Sequence, residues 1–299
     1  MERLQKLKKF DLKKLVAENR FTISVIFPIV GALTLLASAE GILNDTVIRG
    51  ITLPLSVLSF NPYLILFGTL VMRLPLIAGT GELVDRKAAI YLSLLTIYSY
   101  IIEYVGTTTG FPYGEFRYGV SLGPMLPGNI PLALPIFFIP LVVNSYLLVL
   151  LLAPEKSRQI HKRLPASLAT LIIFDLVLDP AAVSLDFWDY ASGAFYGVPL
   201  TNFAGWLLSG TVAVGALELA FDRSKLVERL RSIDFMLDDV VSFVFLWGAV
   251  NIYFGNILPA FLAAVLGLGL LRSGRYDHYL NSIRSSGSLR HFFSRSSAG

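Results

Sequence analysis

The sequence predicts an all-α, polytopic transmembrane helical bundle of about eight spans (seven to eight). Three observations carry that prediction. The 299-residue chain is 55% hydrophobic and 15% charged, with a mean hydropathy of +0.66, whereas soluble domains carry about 25% charged residues. Apolar runs of about 20 residues, the length that crosses a hydrocarbon core roughly 30 Å thick, recur along the whole chain. The Lys and Arg residues gather in alternate connecting segments. A β-barrel would show short segments of alternating hydrophobicity instead.

Taken in order, the expected spans are 21–39, 61–79, 88–105, 131–153, 164–181, 201–221, 238–254 and 256–271. The connection 47–60 is apolar but is broken by Pro54, with Asn61 and Pro62 following, and reads as re-entrant or interfacial. The last two spans are short, and as one helix they would be too long for a bilayer. Asn251, Gly255, Asn256 and Pro259 mark a break between them. With both termini inside, the inner segments hold 22 of the 25 Lys and Arg residues. Only Arg49 and Arg117 fall outside, and Arg73 lies within the second span. This is the asymmetry of cytoplasmic loops, and joining the last two spans would lose it. The organisation read from this pattern is a basic cytoplasmic segment at 1–20, a transmembrane domain at 21–271 and a basic cytoplasmic tail at 272–299. The expected location is the cell membrane. The N-terminal segment lacks the short apolar core and small-residue site of a cleaved signal peptide. The tail, rich in Ser, Arg and Gly, is expected to be disordered or to lie against anionic headgroups. No internal repeat stands out.

Composition also excludes classes of chemistry. The chain has no cysteine, so disulfides, thiolate catalysis and cysteine-held metals are ruled out. His161, His278 and His291 fall in basic loops or the tail, away from any carboxylate cluster, and no metal or cofactor is expected. No span contains a lysine for a retinal Schiff base. The net charge of +4 follows from topology and calls for no nucleic-acid partner.

The most informative stretch is 175–206, DLVLDPAAVSLDFWDYASGAFYGVPLTNFAGW, with four aspartates in an apolar chain. Carboxyls beside a bilayer are costly and usually mark a working site. Asp175 and Asp179 lie four residues apart, so they share a helix face about 6 Å apart along the axis. Asp179 is expected to end the fifth span, with Pro180 following. Glu103, near the end of the third span, and Asn202 and Trp206, one turn apart in the sixth, fall at the same membrane face. Glu40 ends the first span on that side. Two loops there carry further candidates. Residues 106–130 contain GFPYGEFRYGVSLGP, where Glu115 and Arg117 are placed to pair. Residues 182–200 contain Asp186, Trp188, Asp189, Tyr190 and Tyr196, and no basic residue to partner the aspartates. A structural reading stands beside the functional one: an aromatic interfacial belt and a polar loop capping two helices. Arg73 is either a counter-ion to one of these acids or snorkels to the inner surface. Asn144 is expected to bond between helices, and Glu218 to be interfacial.

Asp175-x-x-x-Asp179 and Asp234-x-x-x-Asp238 also match the aspartate spacing of membrane prenyltransferases that hold Mg²⁺ and diphosphate. The expected topology sets the two pairs on opposite membrane faces, and the outer face offers almost no Lys or Arg for a diphosphate.

At the two loops the chain resembles the carotenoid biosynthesis family of membrane hydratases. The residues that carry the resemblance are Glu103 with Gly106-x-x-x-Gly110-Phe111-Pro112-Tyr113-Gly114, then Asp175-x-x-x-Asp179-Pro180 and Phe187-Trp188. The most specific run is Gly193-x-x-Tyr196-Gly197-Val198-Pro199-x-x-Asn202-Phe203-x-Gly205-Trp206. These motifs span about residues 100–210. The resemblance implies an enzyme, a hydro-lyase that adds water to the terminal double bond of an acyclic carotenoid. The implied partners are a long apolar isoprenoid and the bilayer, with other carotenoid-pathway membrane enzymes as possible neighbours.

Such a reaction begins with protonation of an alkene by a neutral acid, which leaves a tertiary carbocation for water to attack. Burial and a neighbouring carboxylate favour the protonated form of an acid, and a coupled pair titrates as a unit. Asp175 and Asp179 are therefore the expected proton donor, Glu103 the base for the incoming water, and Asn202 its orienting group. Trp188, Tyr196 and Trp206 offer π faces to the cation. Asp186, Asp189 and Glu115 complete the expected binding residues. Gly205, Gly210 and Gly215 on the sixth span are read as packing positions. The alternatives are a cyclase or other isoprenoid-modifying enzyme, which would use the same acid and cation chemistry, and a carotenoid-binding or transport protein. An ion-coupled transporter would place its charges nearer the midplane.

Overall fold

A computed structural model describes residues 11–48 and 51–273. Arg49, His278, His291 and most of the expected terminal segments lie outside these residues. Within them the chain is a helical bundle with three short two-stranded ribbons and no larger sheet.

A short helix α1 (Leu12–Glu18), capped by the Asp11 carboxylate, precedes a π-helical stretch (Thr22–Ile26) that runs into α2 (Phe27–Ala39). The connection 47–60, expected to be re-entrant or interfacial, contains the antiparallel strands β1 (Thr46–Ile48) and β2 (Ile51–Leu53) and one 3₁₀ turn (Leu55–Leu58). Asn61 caps α3 (Pro62–Thr80) by accepting from the Tyr63 and Leu64 amides. Then come α4 (Arg86–Thr109), the strands β3 (Phe116–Tyr118), β4 (Met125–Leu126) and β5 (Ile130–Pro131), and α5 (Leu134–Leu152). They are followed by α6 (Ile160–Ser184), β6 (Trp188–Tyr190), α7 (Leu200–Ala220), α8 (Arg223–Ser232), α9 (Asp238–Tyr253) and α10 (Ile257–Arg272).

Among the described residues, seven helical segments are long and apolar enough to cross a membrane, the last being Asp234–Tyr253. The expected break after it is present: Gly255 takes φ +73, a left-handed conformation open to glycine, and α10 turns back to pack on α9. At 16 residues α10 is about 24 Å long, short for a full span, which accounts for the choice between seven and eight.

Two boundaries near the acidic residues differ from expectation. The helix α4 runs to Thr109 and ends where Gly110 adopts φ +76. More consequentially, Asp179 does not end its helix, because α6 continues through Pro180 to Ser184. Proline removes an intrahelical donor, and neighbouring side chains make that tolerable in membrane helices. Asn251 donates to the Val177 carbonyl at 2.8 Å and Asn256 to the Pro180 carbonyl at 3.4 Å. The asparagines that mark the α9–α10 break thus brace the turn of α6 that carries Asp179.

Most charged residues of the bundle interior are paired. Arg73 binds Asp239, and Asn144 donates to the other oxygen of that carboxylate at 2.6 Å. Arg73 is therefore a counter-ion, but to an acid at the start of α9 and not to the cluster in 175–206. Asn144 makes the expected interhelical bond. Asp238 is held by Arg20, which also donates to the Asp234 carbonyl. Glu218, expected at the interface, lies in a largely buried pair with Arg163 and accepts from the Tyr146 hydroxyl at 2.9 Å.

Candidate active site

The two connecting loops at one end of the bundle, 110–133 and 185–199, are stitched together by a short antiparallel pairing of β3 with β6. Phe116 lies opposite Tyr190, Arg117 opposite Asp189 and Tyr118 opposite Trp188. Side chains alternate across a strand, so the sequences Phe-Arg-Tyr and Trp-Asp-Tyr each put two aromatics on one face and one charge on the other. The charges meet outside, with Arg117 Nη2 3.3 Å from Asp189 Oδ2. This replaces the expected Glu115–Arg117 pairing: Glu115 precedes β3, and the paired strand offers Asp189 directly opposite Arg117. The four aromatics turn inward and contact one another edge-on or tilted, with Phe116 5.9 Å from both Tyr118 and Tyr190 and Tyr118 6.4 Å from Trp188 between ring centroids.

Beneath this aromatic cap lies a cavity of about 420 Å³ whose wall includes Glu103, Asp179, Asn202, Trp188, Trp206 and Arg73. It is predominantly apolar with a few converging polar groups, the usual character of a ligand site. The helices α4, α6 and α7 deliver its acids. Glu103 is buried on α4 and accepts a hydrogen bond from the Tyr118 hydroxyl. Asp175 and Asp179 are buried on α6, one turn apart, and the single Asn202 amide of α7 reaches both, at 3.0 Å to Asp175 Oδ2 and 2.5 Å to Asp179 Oδ2. The Tyr190 hydroxyl donates to Asp179 Oδ2 at 3.2 Å. Asp179 faces the cavity, while Asp175 is not part of its wall.

The tyrosines are held as proton donors. Burial, reinforced by the Glu103 carboxylate, pushes the Tyr118 phenol well above its ordinary value, and burial with Asp179 does the same for Tyr190. Asp175 Oδ1 and Trp188 Nε1 are buried without a hydrogen-bond partner among the described residues. Buried unpaired polar groups are rare and costly in folded proteins, and Asn144 Oδ1 and Ser167 Oγ, away from the cavity wall, share that state.

Trp206 also lines the cavity, stacked on Phe138 at 5.3 Å with an interplanar angle of 16°. Tyr113 fills the space between α4 and α7. Its ring lies against Gly106 and Gly205, and its hydroxyl meets Ser209 at 2.7 Å. A Cβ on Gly205 would overlap that ring, so the glycine in this motif serves the cap. Gly210 similarly admits Leu171, whereas nothing lies within 4 Å of a Cβ placed at Gly215.

Of the residues singled out from the sequence, Glu103, Asp175, Asp179, Asn202, Trp188 and Trp206 come together. Tyr196, Asp186, Asp189 and Glu115 do not line the cavity. Tyr196 is 40% exposed and takes φ +50, followed by Gly197 at +83, between the bridged residues Phe195 and Val198. Two successive positive φ values make a tight hairpin turn, so the Tyr-Gly step serves the chain reversal ahead of α7. Asp186 is likewise an exposed turn residue at φ +59. Glu115 is exposed, and Asp189 is held on the outer face by Arg117. Sequence reasoning missed Tyr118 as a partner of Glu103 and Tyr190 as a partner of Asp179. The aromatic–charge–aromatic triplets Phe116–Tyr118 and Trp188–Tyr190 were the available signal, because that alternation predicts two strands with a shared inward face.

Residues 60–270 match the family model described as carotenoid biosynthesis protein. The chain is also 56% identical to the bisanhydrobacterioruberin hydratase of Haloarcula japonica over 271 residues, which is 91% of this chain and 89% of that protein. No solved structure matches. The family match covers Glu103, Asp175, Asp179 and both strands of the aromatic cap, and by the extent of both similarities the chain belongs to the carotenoid biosynthesis protein family.

Proposed function

We propose that this chain is a multi-pass membrane carotenoid hydratase, a hydro-lyase that adds water across the terminal double bond of an acyclic carotenoid end group. The observation that carries the proposal is a group of three buried carboxyls, Glu103 and Asp179 at the wall of an apolar aromatic cavity and Asp175 behind it, tied to Asp179 by the Asn202 amide. The relative named as a hydratase supports the same reading.

Asp175 and Asp179 touch Asn202 and Tyr190 and form no ion pair with Lys or Arg among the described residues. A buried pair so placed holds one proton between its members. Asp179, facing the cavity, delivers that proton to the less substituted alkene carbon. The π electrons form the new C–H bond, and the positive charge is left on the tertiary carbon. The faces of Trp188, Trp206 and Tyr118 stabilise the cation, an effect of about 0.5–2 kcal/mol per ring when desolvated. Water then adds to the cation and loses a proton to the Glu103 carboxylate, oriented by Tyr118. Transfer of that proton back to the aspartate pair completes the cycle, with one water consumed and no electrons exchanged. General acid and general base steps of this kind contribute about 10²–10⁴-fold each.

The distribution of Lys and Arg supports a reading in which both termini are cytoplasmic and the acid end of the bundle lies at the opposite face of the cell membrane. Asp179 lies five residues and Glu103 six residues from the ends of their helices, about 7–9 Å below the rim.

Expression in cells that accumulate an acyclic carotenoid, followed by mass spectrometry of the pigments, tests the proposal. A product heavier by one or two waters is expected. An isomer of unchanged mass would show cyclisation instead, and unaltered pigment across several acyclic substrates would overturn the hydratase reading. An Asp179→Asn protein is expected to keep bound carotenoid and lose product.

A further inference from the structure

We infer that the polyene of the substrate leaves the cavity sideways between α2 and α3, so that the end group enters from the bilayer through a lateral portal. Val30 and Thr34 of α2 and Leu64 and Gly68 of α3 bound this portal. The inference rests on the hydratase reading for the identity of the chain that passes through.

The cavity that holds Glu103 and Asp179 is continuous with a wall built from α2 and α3. At the acid end the lining residues are enclosed, Glu103 being 8% and Asn202 2% exposed. On the α2–α3 side the residues that line the same cavity are open to the surroundings: Val30 is 55%, Leu64 43% and Phe67 57% exposed. A side chain that both lines a cavity and faces outward marks its mouth. This mouth lies on the flank of two membrane-crossing helices, so it opens towards lipid.

Its chemistry suits a hydrocarbon chain. The Thr34 hydroxyl is used by the Val30 carbonyl at 2.9 Å, and the Asn61 carbonyl oxygen caps α3. The polar groups around the mouth are therefore satisfied internally. One rim is the edge-on contact of Phe27 with Phe67, 6.2 Å between centroids, which joins α2 to α3. The other is the Leu58–Phe60 stretch. Volume points the same way. About 420 Å³ falls in the range of roughly 300–1,000 Å³ that encloses a drug-sized ligand, which admits an end group and excludes most of a polyene of roughly forty or fifty carbons. Both ends of such a carotenoid would then react in separate visits.

The absence of native cysteine permits a reversible test in the full-length protein in vesicles. V30C is modified with benzyl methanethiosulfonate and then reduced. The control is I97C on α4, where Ile97 is 54% exposed and does not line the cavity. Turnover of an acyclic carotenoid by the V30C protein is expected to fall at least tenfold on modification and to return on reduction, with the I97C protein unchanged by the same treatment. Retention of the carotenoid by the purified protein, read from polyene absorbance, is expected to fall in parallel. Full modification by mass with unchanged turnover and retention would overturn the portal, as would displacement of bound phospholipid alone. A wild-type protein that retains carotenoid without hydrating it would sink the hydratase reading, while retention would still decide the portal. No retention in any state overturns the portal too.

Discussion

The Asn202 side-chain amide lies 2.5 Å from Asp179 Oδ2 and, from the same nitrogen, 3.0 Å from Asp175 Oδ2. One donor therefore fixes the relative position of two acids on a neighbouring helix, and it does so inside a bundle where neither acid can turn to water. Asn202→Leu is expected to lower kcat by about 10²-fold, the low end of the loss on removing a positioned acid or base. Carotenoid retention should change little, because the amide contacts the acids and contributes little wall area. An equal loss of retention and turnover, measured on the same preparation, would show that Asn202 holds substrate instead.

The two tyrosine bonds separate the roles of the acids. Tyr118 donates to Glu103 and Tyr190 to Asp179. Tyr118→Phe is expected to reduce turnover by about 10–10²-fold, since it releases the water-activating carboxylate and leaves a buried acceptor unpaired. Tyr190→Phe is expected to cost less, because Asp179 keeps its bond to Asn202. A double-mutant comparison of Tyr118→Phe with Glu103→Gln should be strongly non-additive. Additive losses would place Tyr118 outside the action of Glu103.

Much of this arrangement was legible in the residues. Helical spacing put Asp175 and Asp179 on one face, hydropathy put Glu103 and Asn202 at the same membrane end, and the asparagines and glycine at 251–256 marked the last break. The rest depended on pairings between segments far apart in sequence. Nothing local says that Arg117 finds Asp189 in place of Glu115, or that Arg73 finds Asp239, since each partner lies on a different element. Tyr196 lies off the cavity for a different reason. An aromatic next to a glycine suits a turn as well as a π surface, and only the backbone, at φ +50 and +83, separates the two.

The outer pair Arg117–Asp189 is solvated, with the arginine side chain 83% exposed. Such pairs contribute about 0–1 kcal/mol. Arg117→Ala is accordingly expected to leave turnover within about twofold of wild type and to shift thermal stability little. A tenfold loss of turnover would mean that this pair, more than the aromatic packing beneath it, keeps the cap in register.

Arg73 and Asp239 behave oppositely because they are buried, at 10% and 0% side-chain exposure. Breaking a buried pair from one side strands a charge and costs about 3–5 kcal/mol, whereas replacing both members with apolar groups can be neutral. Arg73→Leu alone is expected to lower the melting temperature strongly, and Arg73→Leu with Asp239→Leu to recover most of the loss, with Asn144 limiting the recovery because it donates to the lost carboxylate. Thermal denaturation in detergent followed by tryptophan fluorescence reads this directly. A double variant no more stable than the single one would show that the pair does more than cancel its own charge.

Gly205 and Tyr113 provide the test of how the cap is seated. The Tyr113 ring occupies the space a side chain at 205 would need, and it also packs beside Trp206, 6.3 Å between centroids. Overpacking of this kind typically costs about 1–3 kcal/mol. In Gly205→Ala the strain falls on the ring, and through it on the Trp206 wall and the Tyr113–Ser209 bond. Turnover is therefore expected to fall about tenfold or more, even where the bundle stays folded. Adding Tyr113→Leu removes the ring edge that the new methyl meets, so it should restore thermal stability in the Gly205→Ala background while lowering it in the wild type. Activity should recover less than stability does, because the leucine fills the gap without the hydroxyl that holds Ser209. If Gly205→Ala were neutral in both measurements, the close approach of Tyr113 to α7 would not be what seats the cap over the three carboxyls.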